Sequence, residues 1–203
     1  MLEIEGLNFS RDEEPILRPL DLAVDAGQVL MIRGSNGSGK TTLLKLLCGL
    51  LPVTEGRLTI RMDGQPVEPV DPAFRREHMY IGHQLGLKLD LTSLENQNFF
   101  AAFFGSDLAT PRESLQRVGL EGYAHSVARR LSAGQKKRLS LARLVLNRHR
   151  FWLLDEPYSN LDQAGINLVD DLMTEHTRNG GAAIVTSHGT FVPQVPDLKE
   201  IIL

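Results

Sequence analysis

Eight consecutive residues of this chain have the types and the spacing of a loop that binds phosphate groups. They match the pattern G-x-x-x-x-G-K-[ST] and are Gly34, Ser35, Asn36, Gly37, Ser38, Gly39, Lys40 and Thr41. Glycines in such a loop let backbone N–H groups approach the phosphates of a nucleotide, and a helix that follows adds the positive end of its dipole. Lys40 would then reach the β- and γ-phosphates, and the Thr41 hydroxyl would ligate Mg²⁺. The loop, extended by Thr42, therefore predicts a nucleoside triphosphate site.

Two carboxylates, Asp155 and Glu156, directly follow the apolar run at residues 151–154. A strand that ends in acids directs them toward the crevice in which open α/β sheets bind their ligands. Asp155 would join the Mg²⁺ shell, and Glu156 would orient or deprotonate the water that attacks the phosphate. The alternative is that the two acids only open a turn before Pro157, and the phosphate loop favours the site over the turn.

Three further segments place polar residues beside predicted elements. Four small or polar residues precede a helical run over residues 136–146 and could expose backbone N–H groups to an anion: Ser132, Ala133, Gly134 and Gln135. Gln84 comes shortly after a strand candidate at residues 79–81, and His188 follows another at residues 184–187. By residue type alone, a bare helix cap is the preferred interpretation of residues 132–135, and a single histidine after a strand is usually structural.

Taken in this order along the chain, the segments resemble the ABC family of ATPases. The resemblance identifies residues 131–135 as the family's signature motif and Gln84 as the glutamine that senses Mg²⁺ and water. It identifies Asp162 as a D-loop residue at a dimer interface and His188 as the switch histidine that contacts the γ-phosphate.

The same resemblance implies ATP as the substrate and Mg²⁺ as the cofactor. It implies Glu156, His188 and Lys40 as catalytic residues, and Thr41, Gln84 and Asp155 around the metal. It also implies a head-to-tail homodimer, in which the signature segment of one protomer contacts nucleotide on the phosphate loop of the other.

The chain departs from the family pattern at two positions. Ala133 stands where the signature commonly has glycine, and we expect this small change to leave activity intact. The aromatic residue that usually stacks on adenine is missing, because Arg11 follows Phe9 and Ser10. The guanidinium plane of Arg11 could stack on the base instead, and a plain surface arginine is the equal alternative.

The elements that must position these residues are strands that alternate with helices. Strand candidates cover residues 2–9, 20–24, 29–32, 57–61, 79–81, 151–154, 182–186 and 200–203, and residues 41–50 have helical content. Residues 86–148 are predicted to be helical, with N-caps at Thr92 and Thr110.

The predicted fold class is α/β. The resemblance implies a P-loop ABC ATPase domain with a RecA-like core, an antiparallel β subdomain and an inserted α-helical lobe. We expect one domain over residues 1–203, with the core at 1–85 and 149–203 and the lobe at 86–148.

Composition excludes several other classes of protein. A net charge of −3 gives no global field that would recruit nucleic acid. No window approaches the ~20 apolar residues that a membrane span needs, and the acidic N-terminus is unlike a signal peptide. If the protein works at a membrane, the spanning part is expected to belong to another chain.

Residues 80–100 narrow the resemblance. The Gly-His-Gln-x-Gly-x-Lys run at residues 82–88 and the segment after it are similar to the CcmA family, the ATP-binding subunits of bacterial cytochrome c maturation complexes and haem-exporting ATPases. The similarity implies a membrane subunit CcmB, with CcmC and the haem chaperone CcmE. It also implies a peripheral location at the cytoplasmic face of the inner membrane and hydrolysis that is associated with release of the haem-loaded chaperone. Family precedent places the docking groove for the membrane subunit at residues 85–100.

Some alternatives stay open at this point. The apolar residues in and after this groove could form an interface or the core of the lobe, and for most of them we expect core: Leu94, Phe99, Phe100, Phe103 and Phe104. A soluble ABC ATPase of iron–sulfur assembly or DNA repair, or the ATPase of another small-molecule exporter, would share the common motifs.

Overall fold

The computed structural model describes residues 2–11, 14–53, 55–62, 64–188 and 192–203, without the side chains of residues 11, 14 and 55–57. The chain forms two compact units, one of Met1–Tyr80, Arg150–Glu156 and Asp170–Leu203, the other of Ile81–His149 and Pro157–Val169. The predicted division into a core and a lobe at residues 86 and 148 stays a prediction.

In chain order the elements are β1 (Leu2–Arg11), β2 (Glu14–Val24), β3 (Val29–Arg33), α1 (Lys40–Leu47), β4 (Glu55–Met62), β5 (Gln65–Val67), α2 (Pro72–Glu77), β6 (His78–Ile81), α3 (Ser93–Phe104), α4 (Pro111–Arg117), α5 (Ala133–Leu141), α6 (Arg143–Leu146), β7 (Phe151–Leu154), α7 (Gln163–Arg178), β8 (Ala182–Ser187) and β9 (Leu198–Ile202).

The strands form two sheets of different type. An antiparallel sheet has the order β2-β1-β4-β5, and a second sheet has the order β6-β7-β8-β3-β9. In the second sheet β3 pairs in parallel with both β8 and β9, and β7 pairs in parallel with β8. The carboxyl ends of β3, β7 and β8 therefore meet at one edge, where parallel sheets bind ligands. The predicted α/β fold class is confirmed.

Burial on both faces explains why the parallel strands are largely apolar. All residues of β7 and β8 are buried, as are the first four of β3, which confirms residues 29–32 as a strand covered on both faces. The first unit's core joins both sheets to α1, whose leucines Leu43, Leu44, Leu46 and Leu47 are fully buried. Because α1 begins where the phosphate loop ends, this packing holds the loop in place.

The second unit carries helices with the predicted caps. Thr92 and Thr110 each form a capping box with the glutamate three residues later, which confirms both predicted N-caps. The helix predicted from residue 136 begins earlier, at Ala133, because Ser132 caps it, and it is divided at Ala142 into α5 and α6.

The aromatic residues of α3 are more exposed than the sequence suggested. Phe100 is 6% exposed, whereas Phe99 and Phe103 are 42% and 73% exposed, and Leu94 and Phe104 are half-buried. The expectation that most of these residues form core is therefore wrong, because α3 turns one side of its aromatic cluster to solvent.

Among the residues that the structure describes, no helix is both long enough and apolar enough to cross a membrane.

Candidate nucleotide-binding site

The phosphate loop lies between β3 and α1 and is packed closely on both sides. Gly39 is the N-cap of α1 with φ 96°, and a Cβ there would lie 2.9 Å from the carbonyl oxygen of Ile16. A Cβ on Gly34 would lie 2.9 Å from the carbonyl oxygen of Leu203. Glycine is therefore required at both positions, by backbone conformation at one and by close approach at both.

Lys40 and Ser38 carry side-chain hydrogen-bond donors of the loop. The buried Lys40 ammonium donates to the carbonyl oxygens of Gly34 and Ser35 at 2.7 and 2.8 Å, so it is held over the loop. The Ser38 hydroxyl is buried and has no hydrogen-bond partner within the described part of the chain. Since buried polar atoms are normally paired, an unpaired hydroxyl in this loop fits a site for an oxygen-rich ligand.

Asp155 ties the loop to the neighbouring strands. Its carboxylate accepts hydrogen bonds from the hydroxyls of Thr41 at 2.8 Å and Thr186 at 2.7 Å. Thr186 in turn accepts from the backbone N–H of Glu156 at 3.0 Å. Sequence reasoning missed Thr186; the signal was a buried polar residue at the end of β8, one strand away from Asp155 in the parallel sheet.

The donor set suits a hard cation. Hydroxyl and carboxylate oxygens are the protein ligands that Mg²⁺ accepts, with water and substrate phosphates completing its shell. Thr41 supplies a hydroxyl oxygen and Asp155 a carboxylate oxygen, and the two lie 2.8 Å apart. No cluster of three or more His, Cys, Asp or Glu side chains that could hold a metal ion occurs among the described residues.

The charge of Asp155 affects its buried neighbours. Burial raises the pKa of the Cys48 thiol and of the Tyr80 hydroxyl well above their ordinary values, and the negative charge of Asp155 raises both further. Both groups therefore stay protonated and neutral at physiological pH.

Glu156 and His188 follow the strands as the sequence predicted. Glu156 has φ 48°, a left-handed conformation that is uncommon for a side chain of its size and is concentrated at functional sites. It is half-buried, while His188 is exposed at the end of β8. In the same unit, Thr42 is the third residue of α1.

The signature segment belongs to the second unit. Ser132 accepts a hydrogen bond from the backbone of Gln135 at 3.1 Å, and the Gln135 side chain accepts from the Ser132 N–H at 2.9 Å. A Cβ on Gly134 would lie 2.8 Å from the carbonyl oxygen of Asn160. A pocket of about 420 Å³ opens here, lined by Ser132, Gly134, Gln135 and Asp162 among others. Ala133 is the first residue of α5 and leaves this arrangement undisturbed.

Asp162 connects the D-loop segment to the signature helix. Its carboxylate accepts from the backbone N–H of Gly165 at 2.8 Å and from Arg138 at 2.7 Å. These two contacts, the Gly165 bond first, hold the pKa of the Asp162 carboxyl below its usual value. Arg138 is a second residue that sequence reasoning did not single out.

The predicted site residues thus form two groups. The first unit brings together residues 34–42 with Asp155, Glu156 and His188, and the second unit contains residues 132–135, Asp162 and an exposed Gln84. The side chain of Arg11 lies outside the described residues. The catalytic, nucleotide and metal roles of all these residues remain predictions.

Several known proteins are similar to this chain in sequence. Residues 17–159 match the family model described as ABC transporter. A protein of Xanthomonas oryzae pv. oryzae, named cytochrome c biogenesis ATP-binding export protein CcmA, is 49% identical over 94% of this chain and 88% of its own length. Proteins with the same name from Nitrosococcus oceani and Xylella fastidiosa are 45% and 43% identical, over 92% and 97% of this chain and 85% and 90% of their own lengths.

Solved structures show the same fold. A dimeric structure of the ATP-binding cassette MJ0796 in a post-hydrolysis state with ADP and Pi has a TM-score of 0.79 at 26% identity, covering 93% of this chain and 88% of that one. Another dimeric structure of MJ0796, a bacterial ABC transporter cassette, has a TM-score of 0.82 at 24% identity, covering 100% of this chain and 94% of that one.

Proposed function

As a member of the ABC transporter family this chain is an ATP-hydrolysing subunit, and we propose that it energises cytochrome c maturation at a bacterial inner membrane. In this proposal, hydrolysis drives release of a haem-loaded chaperone from a membrane complex. The observation that carries the chemistry is the hydrogen-bonded chain that joins Thr41, Asp155, Thr186 and the backbone of Glu156 beside the phosphate loop.

The residues of the first unit have separate roles in ATP hydrolysis. The loop N–H groups and the Lys40 ammonium bind the phosphates and offset their negative charge. Glu156, whose backbone N–H is fixed by Thr186, orients the attacking water and accepts its proton on the carboxylate. His188 contacts the γ-phosphate, and the products are ADP and inorganic phosphate.

Thr41 and Asp155, with Gln84, are the residues that would hold Mg²⁺. A bound Mg²⁺ would neutralise charge on the β- and γ-phosphates. Thr41 donates a hydrogen bond to Asp155 at 2.8 Å, so the two oxygens lie close enough to share a cation.

A second copy of the chain would complete the site. We propose a head-to-tail homodimer in which residues 132–135 contact nucleotide on the partner's phosphate loop and Asp162 lies at the interface. The N-terminus of α5 supports this role, because Ser132, Gly134 and Gln135 line the pocket there and the positive end of a helix dipole favours an anion. Dimeric structures of an ABC cassette with the same fold also support it.

The pathway assignment rests on the relatives. Proteins that are 43–49% identical, over more than nine-tenths of this chain, carry the name cytochrome c biogenesis ATP-binding export protein CcmA. By this similarity the membrane partner would be a CcmB-type subunit, with CcmC- and CcmE-type components in the wider assembly. The chain would then be peripheral at the cytoplasmic face of the membrane.

The exposed aromatic residues of α3 support docking to such a partner. Phe103 is 73% exposed and Phe99 42% exposed, and Leu89 in the segment before α3 is 50% exposed. Aromatic side chains of this size are enriched at protein interfaces and contribute much of their binding energy. We propose that residues 85–100, continued by Phe103, bind the membrane subunit.

The chemistry is tested by Glu156→Gln in the purified protein. We expect ATP binding to be retained and turnover to fall by about 10²–10⁴-fold, the range for a lost general base. Glu175→Gln, the same change on an exposed part of α7, is the matched control and should keep full turnover. Near-normal turnover of the Glu156 variant would remove Glu156 from the mechanism.

The pathway is tested by tagged chain recovered from native membranes and by complementation of a strain that lacks its CcmA. We expect the chain to bring down a CcmB-type membrane subunit and to restore covalent haem in c-type cytochromes, whereas Glu156→Gln should bind the subunit without restoring haem attachment. Recovery of soluble iron–sulfur or DNA-repair factors, with no restored cytochrome, would overturn the assignment.

A further inference from the structure

Arg143, the first residue of α6, is a buried cation that the mechanism above does not use. It is 6% exposed, and burial lowers the pKa of its guanidinium to about 10, so it stays charged at neutral pH. Removing a charge from water is costly unless its donors are well satisfied. A residue chosen only for packing would be apolar here, which raises the question of what the guanidinium holds.

The contacts of Arg143 join three segments of the second unit. Its Nε donates to the carbonyl oxygen of Ser140 at 3.0 Å, and its Nη2 donates to the carbonyl oxygen of Leu85 at 2.9 Å. The guanidinium carbon lies 4.5 Å from the ring centroid of Phe100, a cation–π contact. One side chain therefore connects α5, the segment after β6, and α3.

The segment after β6 is the one that carries Gln84. Leu85, whose carbonyl is held, is the next residue along the chain. Gly86 follows with φ 68°, and a Cβ there would lie 3.3 Å from Nη1 of Arg143. The backbone of Leu85 and Gly86 therefore packs directly against the guanidinium group. Its conformation depends on the position of the Arg143 side chain.

We infer that Arg143 is a positioning residue for Gln84: by holding the Leu85 carbonyl, it sets the direction in which the Gln84 amide is presented to metal and water. The inference rests on the proposed role of Gln84 in the metal site. Changing a residue that orients a metal ligand from behind typically lowers metal affinity or activity by about 10–100-fold. Phe100 links the same guanidinium to the aromatic cluster of α3, so movement of that helix would reach Gln84 through Arg143.

The test is Mn²⁺ binding, with Mn²⁺ in place of Mg²⁺, to the protein in complex with a non-hydrolysable ATP analogue, followed by electron paramagnetic resonance. Arg143→Lys keeps the positive charge but loses the planar pair of donors. We expect its Mn²⁺ affinity to fall about tenfold, as for other outer-shell changes. Affinity for the analogue without metal should be unchanged.

Two further variants separate positioning from folding. Gly86→Ala strains the same backbone and places a Cβ 3.3 Å from Nη1 of Arg143, so it should also weaken Mn²⁺ binding although the arginine is retained. Its matched control is Gly180→Ala, which has a similar φ of 82° with nothing within 4 Å of the added Cβ, and which should leave Mn²⁺ binding intact. Thermal unfolding of each variant is measured alongside, because both glycine changes strain the backbone.

Gln84→Ala and its double variant with Arg143→Lys complete the experiment. If Arg143 acts through Gln84, the double variant binds Mn²⁺ no more weakly than Gln84→Ala alone. If Gln84→Ala weakens binding but Arg143→Lys only lowers the unfolding temperature, the inference is overturned and the proposed function stands. If Gln84→Ala itself has no effect, the proposed metal role of Gln84 fails and the inference fails with it.

Discussion

Asp155 shows how one side chain of the site determines the state of its neighbours. It is 2% exposed and accepts hydrogen bonds from two threonines, Thr41 of α1 and Thr186 of β8. Its charge also adds to the burial that raises the pKa of the Cys48 thiol. The same carboxylate thereby holds the loop by hydrogen bonds and adds to the effect of burial on the pKa of the Cys48 thiol, which stays protonated at physiological pH.

This protonation gives a stability that depends on pH. The thiol of Cys48 loses its proton near its ordinary value of about 9 in the unfolded chain but above that in the fold. A raised pKa in the folded state stabilises the fold below the unfolded value, and that contribution is lost as the pH rises. Between pH 9 and 10 we expect the unfolding free energy of the wild-type protein to fall by about 1 kcal/mol more than that of Cys48→Ala.

Urea unfolding followed by circular dichroism, in the presence of a reductant, measures this difference. Tyr80, whose pKa is also raised, is present in both proteins, and burial, the largest cause of its rise, is the same in both, so most of its contribution cancels in the comparison. Parallel loss of stability in the two proteins above pH 9 would show that the thiol ionises as freely in the fold as in the unfolded chain.

Residue types and spacing were enough to predict the phosphate loop, Asp155 and Glu156. Each of them directly follows a strand that the sequence pattern itself predicts. They were not enough for Thr186, Arg138 or the left-handed φ of Glu156. Those features depend on which strand lies beside which and on how two distant segments pack. Spacing along the chain does not record either one.

At the scale of single elements, the first turn of α3 is held by a buried amide. Asn96 is fully buried; its Oδ1 accepts from the Lys88 N–H at 2.8 Å, and its Nδ2 donates to the carbonyl oxygens of Lys88 and Thr92 at 3.0 and 2.9 Å. The loop at residues 88–92 is therefore fastened to the helix that we propose to dock the membrane subunit.

Asn96→Asp should loosen this turn strongly. The carboxylate has nearly the same shape, but it cannot donate, and it places negative charge against two carbonyl oxygens. We expect the unfolding free energy to fall by about 3 kcal/mol at neutral pH, since buried polar atoms lose their partners and a charge is buried. Chemical unfolding of the purified variant measures the loss.

Asn98→Asp is the matched control, because it makes the same change two residues along the same helix at an exposed position. Its unfolding free energy should stay within about 0.5 kcal/mol of the wild-type value. Equal effects at the two positions would mean that the buried hydrogen bonds of Asn96 contribute little to stability.

Elements differed in how clearly the sequence marked them. Caps at Thr92 and Thr110 were readable because their partners lie three residues away. β2 extends over Glu14–Val24, well beyond the predicted residues 20–24, since Pro15 and Pro19 obscured it; both are tolerated because β2 is an edge strand. α7 was not predicted, although Leu168, Val169, Leu172 and Met173 are buried at helical spacing.

At the scale of the whole molecule, the predicted site residues are shared between two units of one chain. The phosphate loop, Asp155 and Glu156 belong to one unit, and residues 132–135 and Asp162 belong to the other. The sequence could predict both sets but not the packing within the second unit, where a Cβ on Gly134 would lie 2.8 Å from the carbonyl oxygen of Asn160, a residue of a separate segment of the chain.

A head-to-tail dimer would make association depend on nucleotide. We expect Glu156→Gln protein, in which ATP is bound but not hydrolysed, to shift from monomer to dimer in sedimentation velocity experiments when ATP and Mg²⁺ are added. The shift follows because the γ-phosphate supplies the negative charge that the N-terminus of α5 on the second protomer would bind. ADP lacks that group and should leave the protein monomeric.

A variant at the signature segment identifies the surface that forms the dimer. Ser132→Glu places a carboxylate at the N-terminus of α5, where it would repel the γ-phosphate of the partner's nucleotide, and in the Glu156→Gln background it should abolish the ATP-dependent dimer. Glu is tolerated near the start of a helix, so the variant should fold. Thr110→Glu, at the N-cap of α4, is the control and should still dimerise with ATP. If the Ser132 variant dimerises as readily as this control, α5 does not bind the partner's nucleotide, and the composite site would have to be built from another surface.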